Sequence, residues 1–351
     1  MNHIYRAAAE QFLIEGEILS IEPYGDGHIG VTCLVKTTQK SYILQKINHF
    51  VFSEPEKLME NIARVTEFLQ NKGKETLCLI PLKNGGTLLH IEDAYFRAYS
   101  FIENTVSYQT ITSERIFKNA GAAFGEFQNT LSDFDASVLH ETIAHFHDTP
   151  KRFRDFEAAL AANASGRADS ARSEIEFVLS KKDTLDKVVK GLESGEIPLR
   201  VTHNDTKLNN ILMDTETGEA RAIIDLDTVM PGSLLYDFGD AIRFGASTAA
   251  EDEKDLSKVH FSVPLFKAYA EGFYGAVKDS ITLMEKELLP YSAYLLMMEC
   301  GMRFLGDYIA GDVYFSTAYP EHNLVRARTQ FKLAKETEER FDELKAIIDA
   351  L

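Results

Sequence analysis

The chain has 351 residues, and its 45% hydrophobic content is typical of a protein with a buried core large enough for about two domains. Its 54 acidic and 37 basic residues give a net charge of -17, which disfavours nucleic acid and anionic membrane surfaces and leaves a small molecule as the expected partner. The three cysteines lack paired or metal-ligand spacing, and the first residues contain no apolar segment of signal-peptide length. We therefore expect a cytoplasmic protein without disulfides or zinc.

The first hundred residues show short runs rich in Ile, Val, Thr and Tyr, separated by turn residues, and one stretch with apolar residues at helical spacing. This pattern predicts a small lobe built on an antiparallel sheet. The predicted strands are Glu17–Ile21, Val31–Val35, Tyr42–Ile47, Thr76–Pro81 and Ala94–Phe101, and the predicted helix is Glu54–Gln70.

After Ile102 the apolar residues recur at three- and four-residue spacing over most of the remaining chain. The segment Asp148–Ser173, rich in Ala, Arg and Asp, is expected to be a surface helix or a connection. We predict an α+β fold with two lobes, an N-terminal nucleotide-binding lobe at 1–103 and a mainly helical catalytic and acceptor-binding lobe at 104–351.

A glycine-rich string, Gly25-Asp26-Gly27-His28-Ile29-Gly30, lies between the first two predicted strands. A dinucleotide-binding turn of this form opens a helix, whereas here another β-type run follows. The context favours a hairpin that covers the phosphates of ATP, with Gly25 and Gly27 against the nucleotide. A plain hairpin turn is the alternative.

Lys46 lies on the third predicted strand, where kinases place a lysine that neutralises phosphate oxygens. Glu56, Glu60 and Glu67 on the next predicted helix are candidates for its ion-pair partner. An exposed strand lysine without a role in binding is the alternative.

The spacing His203-x-Asp205-x-x-x-x-Asn210 has the form of a kinase catalytic loop. Asp205 is predicted to accept the proton of the acceptor hydroxyl, and His203 to organise the loop. Asn210 and Asp225, which follows an apolar β-type run, supply oxygen ligands of the kind that Mg²⁺ prefers. Asp227 is a second ligand or a support.

Two further pairs of polar residues stand in otherwise apolar surroundings. Asp237 and Asp240 either brace the catalytic loop or cap the helix that follows. Arg303 and Asp307 lie four residues apart on one predicted helix, either as a salt bridge or, for Arg303, as a polar wall of the acceptor pocket.

Taken together, these segments resemble the aminoglycoside phosphotransferase and choline kinase-like family, which has a protein-kinase-like fold, and within it the kinases that act on N-acetylhexosamines. The resemblance spans nearly the whole chain. The segments that carry it are Glu22–Ile29, His203–Asn210, Asp225–Gly232, Tyr236–Gly245 and Gly301–Phe315.

The resemblance implies transfer of phosphate from ATP, with Mg²⁺, to the C1 hydroxyl of N-acetylglucosamine or N-acetylgalactosamine. Aminoglycosides, choline or homoserine are alternative acceptors in the same family. A catalytically inactive nucleotide-binding protein is disfavoured, because neither the base nor a metal ligand is missing. The resemblance places the sugar near Arg303, Tyr314, Phe244 and His28, and the nucleotide near Gly25, Gly27, Lys46, Phe101 and Ile102.

Overall fold

The computed structural model of the protein describes residues 3–25 and 30–351. Its strands are β1 (Ile18–Pro23), β2 (Val31–Thr37), β3 (Ser41–Ile47), β4 (Leu89–Ile91), β5 (Ala94–Ser100), β6 (Thr105–Val106), β7 (Arg200–Thr202), β8 (Ile211–Asp214), β9 (Ala220–Ile223) and β10 (Met230–Gly232). Its helices are α1 (His3–Ala9), α2 (Pro55–Asn71), α3 (Glu114–Thr130), α4 (Thr149–Ala162), α5 (Arg172–Ser180), α6 (Lys187–Ser194), α7 (Leu234–Gly245), α8 (Val263–Val277), α9 (Leu283–Ala310), α10 (His322–Glu339) and α11 (Phe341–Asp349).

The chain divides into two compact units. The first unit contains Met1–Ser107, Ser137–Ala144 and Leu212–Met230, and the second contains Tyr108–Ala136, His145–Ile211 and Pro231–Leu351. The first carries most of the strands and the second most of the helices, so the predicted α+β class is confirmed.

The first unit is built on a five-stranded antiparallel sheet with the order β1-β2-β3-β5-β4. Because side chains alternate between the two faces of a strand, most of the buried apolar side chains of β2, β3 and β5 lie on one face of the sheet, where they form a core with α1. The residues of this core cluster are Ala8, Ala9, Phe12, Cys33, Val35, Tyr42, Leu44, Ile80, Leu82, Ala94, Phe96 and Ala98.

The predicted strand Thr76–Pro81 is wrong. The segment is extended and runs beside β5, with hydrogen bonds from Ile80 N to Ala98 O (2.8 Å) and from Ser100 N to Cys78 O (2.9 Å), but only a single bridge forms. Pro81 lacks an N–H group and cannot continue such a ladder. The fifth strand of the sheet is instead β4.

In the second unit, α3 and α8 pack with their backbones in close contact. A Cβ atom on Gly121 would lie 2.3 Å from the carbonyl oxygen of Tyr269, and one on Gly272 would lie 2.0 Å from that of Lys118. Only glycine permits this approach. The segment expected as a surface helix or connection contains α4, which buries Phe153 and Phe156.

Helix α7 lies in the centre of the second unit, and nearly all of its residues are buried. Phe238 on α7 makes edge contacts with Phe266, Tyr269 and Phe273 on α8, at ring-centroid distances of 5.3 to 5.8 Å. Aromatic pairs of this kind add stability beyond the burial of area alone, so α7 is a firm support for the loops that contact it. Among the described helices, none has both the length and the apolar character that a bilayer-spanning segment needs.

Candidate active site

The loop after β7 carries the residues predicted for catalysis. His203 is fully buried, and its ring lies edge-on to those of Phe124 and Phe127 at centroid distances of 5.5 and 6.0 Å. Its Nδ1 accepts a hydrogen bond of 3.3 Å from the backbone N–H of Asp205. The packing and this bond support the expectation that His203 organises the loop.

Both carboxylate oxygens of Asp205 have a partner. The side-chain amide of Asn210 donates to Oδ2 at 3.0 Å and to the backbone oxygen of Asp205 at 2.8 Å, while Lys207 Nζ lies 2.7 Å from Oδ1. Each carboxylate oxygen can accept more than one hydrogen bond, so Asp205 is fixed in orientation and still able to accept from a hydroxyl. Its side chain is 22% exposed, which leaves it accessible to a ligand.

Lys207 is a residue of the site that the sequence analysis missed. Burial lowers the pKa of its ammonium group, but the charge of Asp205 and, more weakly, that of Asp240 outweigh burial and hold the pKa above its usual value. Lys207 is therefore a permanent cation beside Asp205. A basic residue two positions after the predicted base, in a strongly acidic chain, was the signal that could have identified it.

Asp237 braces the loop from α7. Its Oδ2 accepts from the backbone N–H of His203 (3.0 Å) and from Gln128 Nε2 (2.6 Å), and its Oδ1 accepts from the N–H of Asn204 (2.8 Å). Burial raises the pKa of this carboxyl above its usual value, although these donors and His203 counteract the rise. The capping alternative is wrong, because Ser233 caps α7.

Asp240 supports the same loop one turn further along α7. Its Oδ2 accepts from the N–H of Thr206 at 3.1 Å, and its Oδ1 accepts from Arg243 Nε at 2.9 Å. Burial alone would raise the pKa of Asp240, but Arg243 and Lys207 hold it below the usual range. Asp240 is thus an ionised carboxylate that links the loop to a buried arginine.

The other predicted metal ligand lies in the first unit, after β9. Asp225 is exposed and has a positive φ of 58°, a conformation that few residues other than glycine adopt. On the same segment Val229 O accepts a hydrogen bond from Asn61 of α2 at 3.0 Å, and Asp227 Oδ1 lies 2.5 Å from Arg97 Nη2. The segment is therefore held at two points.

The chemistry of the donors fits magnesium. Asp225 offers an exposed carboxylate, and Asn210, whose amide nitrogen is already engaged by Asp205, offers its amide oxygen. Hard oxygen donors of this kind suit Mg²⁺.

In the second unit, Arg303 is surrounded by aromatic rings. Its guanidinium carbon lies 5.7 Å from the ring centroids of Phe146 and Tyr314 and 5.4 Å from that of Phe315. Among the described residues it forms no salt bridge, and its charge adds to burial in lowering the pKa of Arg152. A guanidinium without a carboxylate partner keeps its donors available for a ligand.

The salt bridge considered between Arg303 and Asp307 is not formed. Asp307 instead accepts hydrogen bonds from the backbone N–H groups of Val313 (2.9 Å), Tyr314 (2.8 Å) and Phe315 (2.9 Å). It thereby fixes the loop that presents Tyr314, whose side chain is 65% exposed.

Phe244, also predicted to contact the acceptor, lines a separate cavity of about 440 Å³ in the second unit, next to Arg243 and Glu251. Neither Arg303 nor Tyr314 lines this cavity. Arg243 pairs with Glu251 at 3.0 Å as well as with Asp240, so the cavity wall is connected to the catalytic loop.

The residues predicted to contact the nucleotide lie in the first unit. Gly25 has a positive φ of 75°, which suits a tight hairpin, and the ring of Tyr24 meets that of Phe101 edge-on at 5.7 Å. Ile102 follows directly, and its backbone oxygen accepts from Thr105. Gly27 and His28 lie outside the described residues.

Lys46 lies in β3, as predicted, but its expected ion pair is not formed. Within the described part of the chain no salt bridge joins it to Glu56, Glu60 or Glu67. Glu60 instead pairs with His140 at 2.7 Å and with Arg64 at 3.5 Å.

Residues 20–263 match the family model of the phosphotransferase enzyme family, APH. The match covers well over half of the 351 residues, and the chain belongs to this family. A curated relative, an uncharacterised kinase-like protein of Caenorhabditis elegans, is 30% identical over 121 residues. That match spans 32% of this chain and 31% of the length of the relative.

Solved structures share the fold over almost the whole chain. A microcompartment-associated aminopropanol kinase matches with a TM-score of 0.67 and 14% identity, covering 97% of this chain and 98% of the other. A spectinomycin phosphotransferase in complex with ADP and spectinomycin matches with a TM-score of 0.58 and 14% identity, over 97% and 98% of the two chains. The expected protein-kinase-like fold is confirmed.

Proposed function

We propose that the protein transfers the γ-phosphoryl group of ATP, with Mg²⁺, to the C1 hydroxyl of an N-acetylhexosamine, either N-acetylglucosamine or N-acetylgalactosamine. The observation that carries the phosphoryl transfer is the geometry of Asp205, which Asn210 and Lys207 hold from both sides. The structural neighbour solved with ADP supports a nucleotide as the phosphate donor. Because the reaction consumes ATP, we place it in the cytoplasm.

In this proposal Asp205 accepts the proton of the sugar hydroxyl as O1 attacks the γ-phosphorus. The fixed carboxylate needs no reorientation during the step, since its partners already define its position. Lys207 offsets the negative charge that builds up beside the base. Attack by O1 leaves the C1–O1 bond intact, so the product keeps the anomeric configuration of the bound sugar.

We propose Asn210 and Asp225 as oxygen ligands of Mg²⁺, which when bound offsets charge on the transferred phosphoryl group. Gly25, Phe101 and Ile102 are proposed to contact the nucleotide.

The choice of a neutral acceptor rests on Arg303. Its guanidinium already occupies the space among Phe146, Tyr314 and Phe315, where an aromatic surface would otherwise attract an ammonium group. A second cation beside Arg303 would be repelled, whereas a sugar hydroxyl or an acetamido oxygen can accept its N–H groups.

A cationic or amino-alcohol acceptor is the competing proposal. The fold is shared with an aminopropanol kinase, and the net charge of -17 is compatible with a positively charged substrate. Aminoglycosides, choline and homoserine are its test compounds.

The experiment is ³¹P NMR of the purified protein with ATP and Mg²⁺ and, in separate tubes, N-acetylglucosamine, N-acetylgalactosamine, choline, kanamycin and homoserine. We expect a new phosphomonoester signal coupled to the anomeric proton of an N-acetylhexosamine. Asp205→Asn, which preserves the shape of the side chain, is the matched control and should give no product. Phosphorylation of choline, kanamycin or homoserine alone would refute the sugar acceptor and leave the role of Asp205 intact.

A further inference from the structure

The strand register of the first unit places the side chains of Lys46 and its neighbour Gln45 on opposite faces of the sheet. Lys46 lies opposite Phe96 of β5, and Gln45 lies opposite Arg97. Residues directly opposite in an antiparallel pair point to the same face of the sheet. Phe96 belongs to the core cluster that packs against α1, so Lys46 lies on that face, and Gln45 and Arg97 lie on the other.

Arg97 is the buried cation of this second face. Its side chain is 3% exposed; its Nε donates to Gln45 Oε1 at 3.0 Å, and its Nη2 lies 2.5 Å from Asp227 Oδ1. Burial by itself would lower the pKa of Arg97, but Asp227 and, more weakly, Asp225 raise it above its usual value. The guanidinium is therefore charged; it contacts Asp227 and acts on Asp225 only through its charge.

Packing alone does not account for this arginine. A buried guanidinium is costly to desolvate, and apolar residues often replace a buried ion pair without loss of stability. Moreover, Nη1 of Arg97 is buried and makes no hydrogen bond within the described part of the chain. A purely structural arginine would be expected to have its donors satisfied.

Arg97 offsets the repulsion between two neighbouring carboxylates. Asp225 and Asp227 are two residues apart, and their charges repel each other unless a cation lies nearby. Arg97 contacts Asp227 directly, and its charge also acts on the exposed Asp225 carboxylate, whose backbone is in the left-handed conformation.

We propose that Arg97, rather than Lys46, is the basic residue through which the first unit supports binding of the metal–nucleotide complex. It is a positioning residue that acts through Asp227 and holds Asp225 ready to bind a divalent cation. This inference rests on the proposed phosphoryl transfer with Mg²⁺ but does not depend on the identity of the acceptor.

The test is calorimetric titration of the full chain with ADP, once with saturating Mg²⁺ and once with EDTA. For Arg97→Lys we expect the Kd of the Mg²⁺–ADP complex to rise at least tenfold, because an ammonium group cannot contact Gln45 and Asp227 together. The Kd of ADP in EDTA should change less than threefold. Arg6→Lys, an exposed arginine paired with Glu10, is the matched control and should behave as the wild type.

Lys46→Met is the competing variant, and its Mg²⁺–ADP affinity should fall less than that of Arg97→Lys. The proposal would be overturned if Lys46→Met raised the Kd of the Mg²⁺–ADP complex more than Arg97→Lys does. It would also be overturned if Arg97→Lys raised the Kd of ADP in EDTA as much as that of the Mg²⁺–ADP complex. Asp227→Asn should reproduce the Arg97→Lys pattern and provides the test if Arg97→Lys does not fold. The titration contains no acceptor. Its outcome can therefore be interpreted even if the protein proves unable to phosphorylate a sugar.

Discussion

The loop at 203–210 in the second unit and the segment at 225–229 in the first unit both carry carboxylates predicted for phosphoryl transfer, yet they are stabilised in different ways. In the loop, Asp237 accepts from two backbone N–H groups and Gln128, and Asp240 accepts from a third backbone N–H and from Arg243. The segment after β9 relies on Arg97 for its charge balance.

In the loop, the proposed catalytic side chain and the contacts that hold the loop in place belong to different groups. In the segment after β9, the proposed metal ligand lies next to the side chain that holds the segment in place. The loop is held mainly through its backbone, so the Asp205 side chain can be changed with little effect on the position of the loop. In the strand-end segment the supporting contact is made by the side chain of Asp227, two residues from the proposed metal ligand Asp225. A substitution there is expected to alter metal binding and local structure together.

The largest effect is expected for Asp205→Ala. Removal of a general base costs about 10²- to 10⁴-fold in rate, and we expect kcat to fall by about 10³-fold or more. The Kd of ADP and the Tm should remain close to those of the wild type, because Asp237 and Asp240 still hold the loop. Stopped assays of phosphate transfer, together with thermal melts, provide the measurement. A variant that retains a tenth of the wild-type kcat would show that Asp205 is not the base.

The loop at 203–210 and the segment after β9 also differ in how much of each could be predicted from the sequence. The loop at 203–210 could be predicted as a unit because its residues are close in the chain, and their spacing alone indicates the proposed chemistry. The Arg97 contact was missed because it depends on the register between β3 and β5, which places Gln45 and not Lys46 beside Arg97. A shift of one residue moves a side chain to the opposite face of the sheet, and local pattern does not specify that shift.

The pair Arg303 and Asp307 shows a second limit. Their four-residue spacing on α9 placed both side chains on one face, as expected, but it could not reveal what each contacts. The partners of Asp307 are backbone N–H groups of residues 313–315, beyond the end of the helix. Thr76–Pro81 is the converse case, in which β-type composition was present but Pro81 lacks an N–H group for a ladder.

A smaller effect, this time on stability, is expected for Asp240→Asn. Breaking a buried ion pair by removing one partner costs about 3–5 kcal/mol in the free energy of unfolding when the other charge is left unpaired. Arg243 keeps its contact with Glu251, so we expect a loss near the lower end of that range. The loop residues 203–206 should shift as well, since Thr206 N donates to the same carboxylate. Urea unfolding at pH 7 gives the difference between wild type and variant.

The pH dependence of that difference follows from the pKa of Asp240, which lies below the usual value of 3.8 in the folded state. A carboxyl with a lowered pKa stabilises the folded protein fully above its unfolded pKa and loses this contribution as the pH falls through its folded pKa. The gap between wild type and Asp240→Asn should therefore be constant from pH 5 to 7 and shrink below about pH 4. A gap that widened in acid would contradict the ionised state of Asp240.

The smallest effect is expected for Asp307→Asn, which tests whether backbone support also governs the proposed acceptor site in the second unit. The amide of Asn keeps one acceptor oxygen, but its NH₂ group faces backbone N–H donors of residues 313–315 that now bond to the carboxylate. We expect this loss to cost about 1–1.5 kcal/mol in the free energy of unfolding. The loop with Tyr314 should loosen, so KM for the sugar should rise about tenfold while KM for ATP stays unchanged. Arg303→Lys separates support from contact, because it leaves the Asp307 hydrogen bonds intact and removes the planar donor group. Equal increases in the KM values for the sugar and for ATP would show that Asp307 stabilises the protein as a whole. Support through backbone N–H groups, as in the loop at 203–210, would then not position residues 313–315 for the sugar.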